Sequence, residues 1–187
     1  MTAKLTTKQI MIDAWKSGTV IPAFNIPYLP MMEPVVRALR ETRCFGLITV
    51  ARLEWIKFEP KSLKAVYDEY QLVKDDRYTR LHLDHVPVID EDNKVVDYYE
   101  ILSEAVDLGY ESVMIDGSRL SPTENIAATK KAADMAHKAG IPIEAELGAA
   151  MGHESGPIPP YEELFAFGKG FTSPDEAKRF VGETGAD

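Results

Sequence analysis

A parallel α/β fold is predicted by three observations. Strand-like and helix-like segments alternate along the whole chain of 187 residues. The clearest strands begin near residues 79, 112 and 142, spacings of about 30 residues that suit one strand–helix–strand step each. No low-complexity linker divides the sequence, so residues 1–187 read as one domain. An open doubly wound sheet and a (β/α)8 barrel both meet this pattern.

The elements follow in order. Residues 6–17 read as a helix, with Ile10, Ala14 and Trp15 on one side and Gly18 as its stop. Residues 20–26 are a short apolar run and the first strand. A helix over 33–43 follows, with Pro34 in the first turn, where proline is tolerated. Residues 45–51 form the second strand. The stretch 52–59 carries Trp55 and Phe58 and reads as either helix or irregular loop; a helix within 60–73 comes next. The third strand covers 79–85, and Asp90-Glu-Asp-Asn93 is a turn. A helix over 95–108 ends at Gly109. Residues 112–118 give the fourth strand. Ser121-Pro-Thr-Glu124 caps a helix running to Lys138. Residues 141–148 give the fifth strand, so all five strands lie within 19–148. Residues 149–171 read as a Gly- and Pro-rich loop, too long for a bland connection and therefore functional. Ser173-Pro-Asp-Glu176 caps a last helix to about residue 183.

Composition narrows the function classes. Thirty acidic against 21 basic residues give a net charge of −9, which argues against a general nucleic-acid surface. No apolar run is long enough to cross a membrane, and the first residues lack the apolar core of a signal peptide. Cys44 is the only cysteine, so an internal disulfide and a cysteine-based zinc site are both excluded. A reducing, cytoplasmic setting is the natural expectation.

The chemistry-bearing side chains gather at strand ends. The third strand ends in Asp84-His85, the fourth in Asp116, the fifth in Glu144-Ala-Glu146 and the first in Asn25. In parallel α/β folds the C-terminal rim of the sheet is where ligands bind. Strands there are buried on both faces, so an acid has no cheap structural role. Each group also has a plain alternative. Asp116-Gly-Ser118 reads as a turn, Glu144 and Glu146 as a solvated edge, and Asp84-His85 as a pair orienting a loop. Recurrence at three consecutive strand ends favours one shared site. Imidazole plus carboxylate, with no thiolate, suits zinc or another divalent ion. His82 points to the same face as Asp84 and reads as a packed support or a site residue; His137 reads as a surface residue. The aromatic group Tyr161, Phe165, Phe167 and Phe171 reads as loop packing. No phosphate-loop or dinucleotide fingerprint is present.

These residues resemble the class II, metal-dependent fructose-bisphosphate aldolases and their ketose-bisphosphate relatives. Ile21-Pro-Ala-Phe-Asn-Ile26 is similar to the family's first strand, and Leu81-His-Leu-Asp-His85 to its His-x-Asp-His signature. Residues 112–118 with Glu124-Asn-Ile126 resemble its fourth unit. Glu144-Ala-Glu-Leu-Gly-Ala-Ala-Met-Gly-His-Glu154 resembles its second signature. The resemblance implies a TIM barrel of which this chain covers the first five strand–helix units. It implies Asp84 as the proton-shuttling acid/base, His85 as a zinc ligand, Asp116 and Glu146 as an outer metal position, Glu154 on a mobile active-site loop over 149–171 as a second proton-transfer group and Asn25 as a substrate contact. His82, Glu144 and Ser118 would support them from behind.

Three features depart from the family pattern: Ala51 where a serine normally ends the second strand, Val86 after the His-x-Asp-His signature, and the segment 52–58. They leave the sugar open. The family's two further zinc histidines, its phosphate loop and its last aspartate loop lie after the fifth strand. The expectation is therefore a zinc-dependent lyase acting on a sugar phosphate, completed by a C-terminal half from the same gene or a separate chain and expected to form a homo-oligomer. The 187 residues alone are expected to be inactive. The rival expectations are a non-catalytic half-barrel serving assembly or binding, and another metal-dependent barrel enzyme.

Overall fold

The structure, a computed structural model, describes residues 4–58, 60–148, 160–167 and 172–187. The elements are α1 (Thr7–Ser17), β1 (Ala23–Asn25), a 3-10 turn (Leu29–Met31), α2 (Met32–Thr42), β2 (Gly46–Ala51), α3 (Arg52–Lys57) and α4 (Leu63–Val73). They continue with β3 (Thr79–Pro87), α5 (Tyr98–Leu108), β4 (Ser112–Asp116), α6 (Pro122–Lys138), β5 (Ile143–Glu146), α7 (Tyr161–Phe167) and α8 (Pro174–Thr184). The five strands form one sheet in the order β1-β2-β3-β4-β5, every pair parallel. Helix α2 packs on α4, α4 on α5, α5 on α6 and α6 on α8. Sequential strands with sequentially packed helices have no point where the strand order reverses, so the doubly wound alternative is excluded. What remains is a five-strand arc of a TIM barrel.

Alternation along the strands sorts the side chains. Ile48 and Val50 of β2, Leu81 and Leu83 of β3, Val113 and Ile115 of β4, and Ile143 of β5 face the helices. There they bury against Val36, Leu39, Val66, Tyr70, Leu102, Ala105, Ala132 and Ala136. The intervening positions face the barrel interior, and most are polar: Thr49, Arg80, His82, Asp84, Ser112, Asp116, Glu144 and Glu146. Arg80 is nearly fully buried at the N-terminal end of the sheet. Its guanidinium donates to the carbonyls of Asp76 (2.6 Å), Thr79 (2.7 Å) and Leu5 (2.9 Å), tying the segment before α1 to the sheet.

Several boundaries differ from the sequence expectation. Strand β1 has three residues because Pro22 and Pro27, which lack an N–H, bracket it. The stretch 52–57 is helical. Residues 95–97 are not, because Ile89 and Val95 pair in a small antiparallel bridge around the Asp90–Asn93 turn. Within the expected loop 149–171, α7 forms where the Pro160 carbonyl accepts from Glu163 and Leu164, with Glu162 and Glu163 favourably placed at its N-terminus. Residues 149–159 and 168–171 lie outside the described residues, as do the side chains of Tyr161, Phe165 and Phe167.

Both ends of the arc are edges. All three residues of β1 are exposed. Beyond β5, a groove of about 550 Å³ runs between α1, β5 and α8. Asp187 sits at one end of it. Its N–H donates to the Ile143 carbonyl (3.0 Å), and its carboxylate accepts from the Ile143 N–H (3.0 Å) and meets His137 Nε2 (2.7 Å) and Lys8 Nζ (2.5 Å). His137 is therefore a partner of Asp187, away from the strand-end rim.

Candidate active site

The rim of the sheet is built around an irregularity in β3. Leu83 pairs with Val113, but the next pair is Val86 with Ile115, so β3 carries one residue more than its neighbour. His85 lies in this bulge with φ of 38°, a left-handed conformation uncommon for a residue other than glycine. Without a bulge, adjacent residues face opposite sides of a sheet. With it, both Asp84 and His85 reach the interior: His85 Nε2 is 4.0 Å from Asp84 Oδ1. The extra residue also turns Val86 into the outer core, where it is fully buried.

Asp116 and Glu146 are register partners at the ends of β4 and β5. Both converge on His85, whose Nδ1 is 3.8 Å from Asp116 Oδ2 and 3.6 Å from Glu146 Oε2. One ligand atom from each of the three lies within 4.8 Å of the others. One imidazole nitrogen and two carboxylate oxygens at that spacing fit the donor set of a divalent cation. The three residues named from sequence as metal ligands are thus brought together, with Asp84 beside them. Asn25 lies at the end of β1, its Oδ1 accepting from the Thr49 hydroxyl. Glu154 lies outside the described residues.

The electrostatics follow from this crowding. Interaction with the Asp116 carboxylate, aided by Asp84 and Glu146, outweighs burial and raises the His85 pKa to about 9. Burial pushes the Asp116 carboxyl up, but His85 and Ser118 together hold it below the usual carboxylate range. The Ser118 N–H donates to Asp116 Oδ1 at 2.9 Å, so Ser118 supports a rim acid and the Asp116-Gly-Ser118 turn serves the site.

His82 behaves differently. Its ring is almost fully buried, with Nδ1 2.8 Å from Ser112 Oγ and Nε2 3.7 Å from Glu144 Oε2. Burial lowers its pKa to about 4. Of the two sequence readings for His82, the packed support is the one the geometry favours, and Glu144 stands next to it.

Two residues escaped the sequence reading as parts of the site. Asn125, on α6, is buried. Its amide donates to the Glu146 carbonyl (2.9 Å), and its Oδ1 accepts from Thr129 Oγ1 (3.0 Å). It reaches β5 past Gly117; a Cβ there would lie 2.1 Å from Asn125 Oδ1. Glu54, on α3, accepts from the Ala51 N–H (2.8 Å) and stands near enough to Asn25, Asp84 and His85 for all three to bear on its ionisation. Burial raises its pKa. Neither lies at a strand end, where the candidates were read, and the resemblance at Glu124-Asn-Ile126 gave Asn125 no role.

Fold and rim together define a TIM-barrel protein with a site fit for a divalent cation at the C-terminal ends of its strands. The model of the class II fructose-bisphosphate aldolases matches residues 5–187, and the chain belongs to that family. It is 27% identical over 190 residues to a fructose-bisphosphate aldolase of Staphylococcus aureus, covering 98% of this chain and 59% of the relative. It is 30% identical over 190 residues to one of Treponema pallidum, covering 98% and 52%. Among solved structures, the YdjI aldolase of Escherichia coli K12 superposes with a TM-score of 0.70 at 26% identity, covering 98% of this chain and 59% of that one. A fructose-bisphosphate aldolase of Campylobacter jejuni shares the fold with a TM-score of 0.72 at 20% identity, covering 95% and 52%. The chain thus spans little more than half the length of the relatives it matches.

Proposed function

We propose that this chain carries the first five units of a zinc-dependent aldolase. The complete barrel would reversibly cleave a phosphorylated ketose, of the fructose- or tagatose-bisphosphate kind, to dihydroxyacetone phosphate and an aldehyde. The observation that carries this reading is the convergence of His85, Asp116 and Glu146 beside Asp84. His85, Asp116 and Glu146 would hold the ion, which when bound polarises the ketose carbonyl and stabilises the negative charge developing there.

The chain's own groups would move the protons. Asp84 takes the C4 hydroxyl proton as the C3–C4 bond breaks. C4 leaves as the aldehyde carbon, and the bond's electron pair passes to C3 and the carbonyl oxygen. Glu154 then delivers a proton to C3, and the reverse steps run in synthesis. His82, neutral and held by Ser112, keeps the floor of the site in place. Asn125 holds the backbone at Glu146.

The missing ligands would come from a C-terminal half, in the same chain or a separate one, seated along β5; a homo-oligomer working in the cytoplasm completes the proposal. The test is metal analysis of the complete protein with cleavage of fructose and tagatose bisphosphates, with and without EDTA. Bound zinc and EDTA-sensitive cleavage are expected. Absence of both, or a covalent adduct trapped by borohydride, would overturn the reading. Asp84→Ala should abolish turnover with zinc retained. A non-catalytic assembly role is the second reading, favoured by one specific observation: among the described residues, His85 is the single histidine of the clustered ligands.

A further inference from the structure

Glu54 is an acid at the rim that the strand-end pattern does not include. It stands on α3, and capping the Ala51 N–H accounts for one of its carboxylate oxygens. The surroundings ask for more than a cap. Ala51 is the register partner of Asp84, so α3 starts directly beside that acid. The Asn25 side chain lies beside Glu54, and its oxygen accepts from the Thr49 hydroxyl. Helix α3 is itself held from behind. Arg52 pairs with Asp90 (3.7 Å), Lys57 pairs with Glu91 (3.0 Å), and Trp55 packs against the core. Those contacts also engage both basic side chains of the helix, leaving it no unpaired cation to offer an anion.

We propose that Glu54 is a specificity-determining residue which, with Asn25, binds a hydroxyl of an uncharged end of the ketose chain and disfavours phosphate there. The inference rests on the aldol reading of the site. A carboxylate accepts from a hydroxyl strongly, and Asn25, held through its oxygen by Thr49, supplies a second polar contact. A phosphate at the same place would stand against Glu54 and Asp84, both of like charge. Within the aldol reading this narrows the favoured substrate from a bisphosphate to a ketose carrying its one phosphate at the far end.

The experiment is steady-state cleavage of a ketose 1-phosphate and a ketose 1,6-bisphosphate by the complete wild-type protein, Glu54→Gln and Glu54→Ala. Wild type should prefer the monophosphate in kcat/KM. Glu54→Gln, which keeps a capping side chain, should shrink that preference by about tenfold through KM, with kcat and thermal midpoint near wild type. An unchanged preference, or an equal loss for both substrates, would overturn the proposal. If wild type cleaves neither sugar, the aldol reading falls. Calorimetric titration of wild type and Glu54→Gln with the same two sugar phosphates then still decides on Glu54, and an equal affinity ratio in the two proteins overturns it.

Discussion

Gly117→Ala should be far more damaging than a surface glycine substitution. The added Cβ would lie 2.1 Å from Oδ1, 2.5 Å from Cγ and 3.1 Å from Nδ2 of Asn125, so Asn125 must move. Asn125 is 2% exposed. Moving it breaks the bonds to the Glu146 carbonyl and from the Thr129 hydroxyl. Leaving a buried polar group unpaired costs about 1–3 kcal/mol, so two such losses put the expected destabilisation at about 2–6 kcal/mol. Asn125→Ala should cost a similar amount by breaking the same two bonds. The double variant should cost little more than either single change, because the new methyl fills the space the asparagine leaves. Urea denaturation with unchanged m-values measures all three. A double-mutant coupling about as large as the Gly117→Ala loss itself is expected; additivity within about 0.5 kcal/mol would refute the steric account.

Three further outcomes follow from the charges. The His85 pKa is raised from 6.5 to about 9, so its contribution to the metal-free protein is fully present below pH 6.5 and lost as pH rises through about 9. Urea midpoints should fall over that window in wild type and stay flatter in His85→Ala; a flat wild-type profile would contradict this. The His82 pKa is lowered to about 4, so its contribution is present above pH 6.5 and lost as pH falls through about 4. Its imidazole resonances should hold constant from neutral pH down toward that value, and a midpoint near 6.5 would show that the ring is not buried. Asp187→Ala removes partners from Lys8, His137 and the Ile143 N–H and should cost about 1–3 kcal/mol, against at most about 1 kcal/mol for Lys8→Ala alone. Equal losses from the two changes would show that the backbone contact to Ile143 carries no weight.

How much of this was legible in the sequence depended on the kind of signal. Strands β2, β3 and β4 were readable because buried parallel strands are apolar runs, and acids at their ends stand out against that background. Strand β1 was overextended because Val20 and Ile21 look apolar, while Pro22 limits pairing. Helix α7 was hidden because its cap is a proline carbonyl inside a Gly/Pro-rich stretch. Asp84, His85, Asp116 and Glu146 were legible as one site through their common place at strand ends. Asn125 and Glu54 were not. Asn125 sits mid-helix, and its role exists only because residue 117 has no side chain to block it. Glu54 has the spacing of an ordinary capping residue, and its nearness to Asn25 depends on how α3 is anchored to Asp90 and Glu91. The bulge was half-legible, since two adjacent polar residues expected at one site require a break in strand alternation.

That bulge bears on how such a site can diverge. Substitution can change what stands at positions 84 and 85, and so change a proton acceptor or a ligand into something else. It cannot change how many consecutive side chains the strand presents to the interior. That count is set by one surplus residue between Leu83 and Val86, and only an insertion or deletion alters it. Point-mutational drift therefore leaves the number of rim positions in place and explores only their chemistry. Losing one residue from β3 would repair the ladder with β4 and remove one of the two adjacent functional positions in a single event.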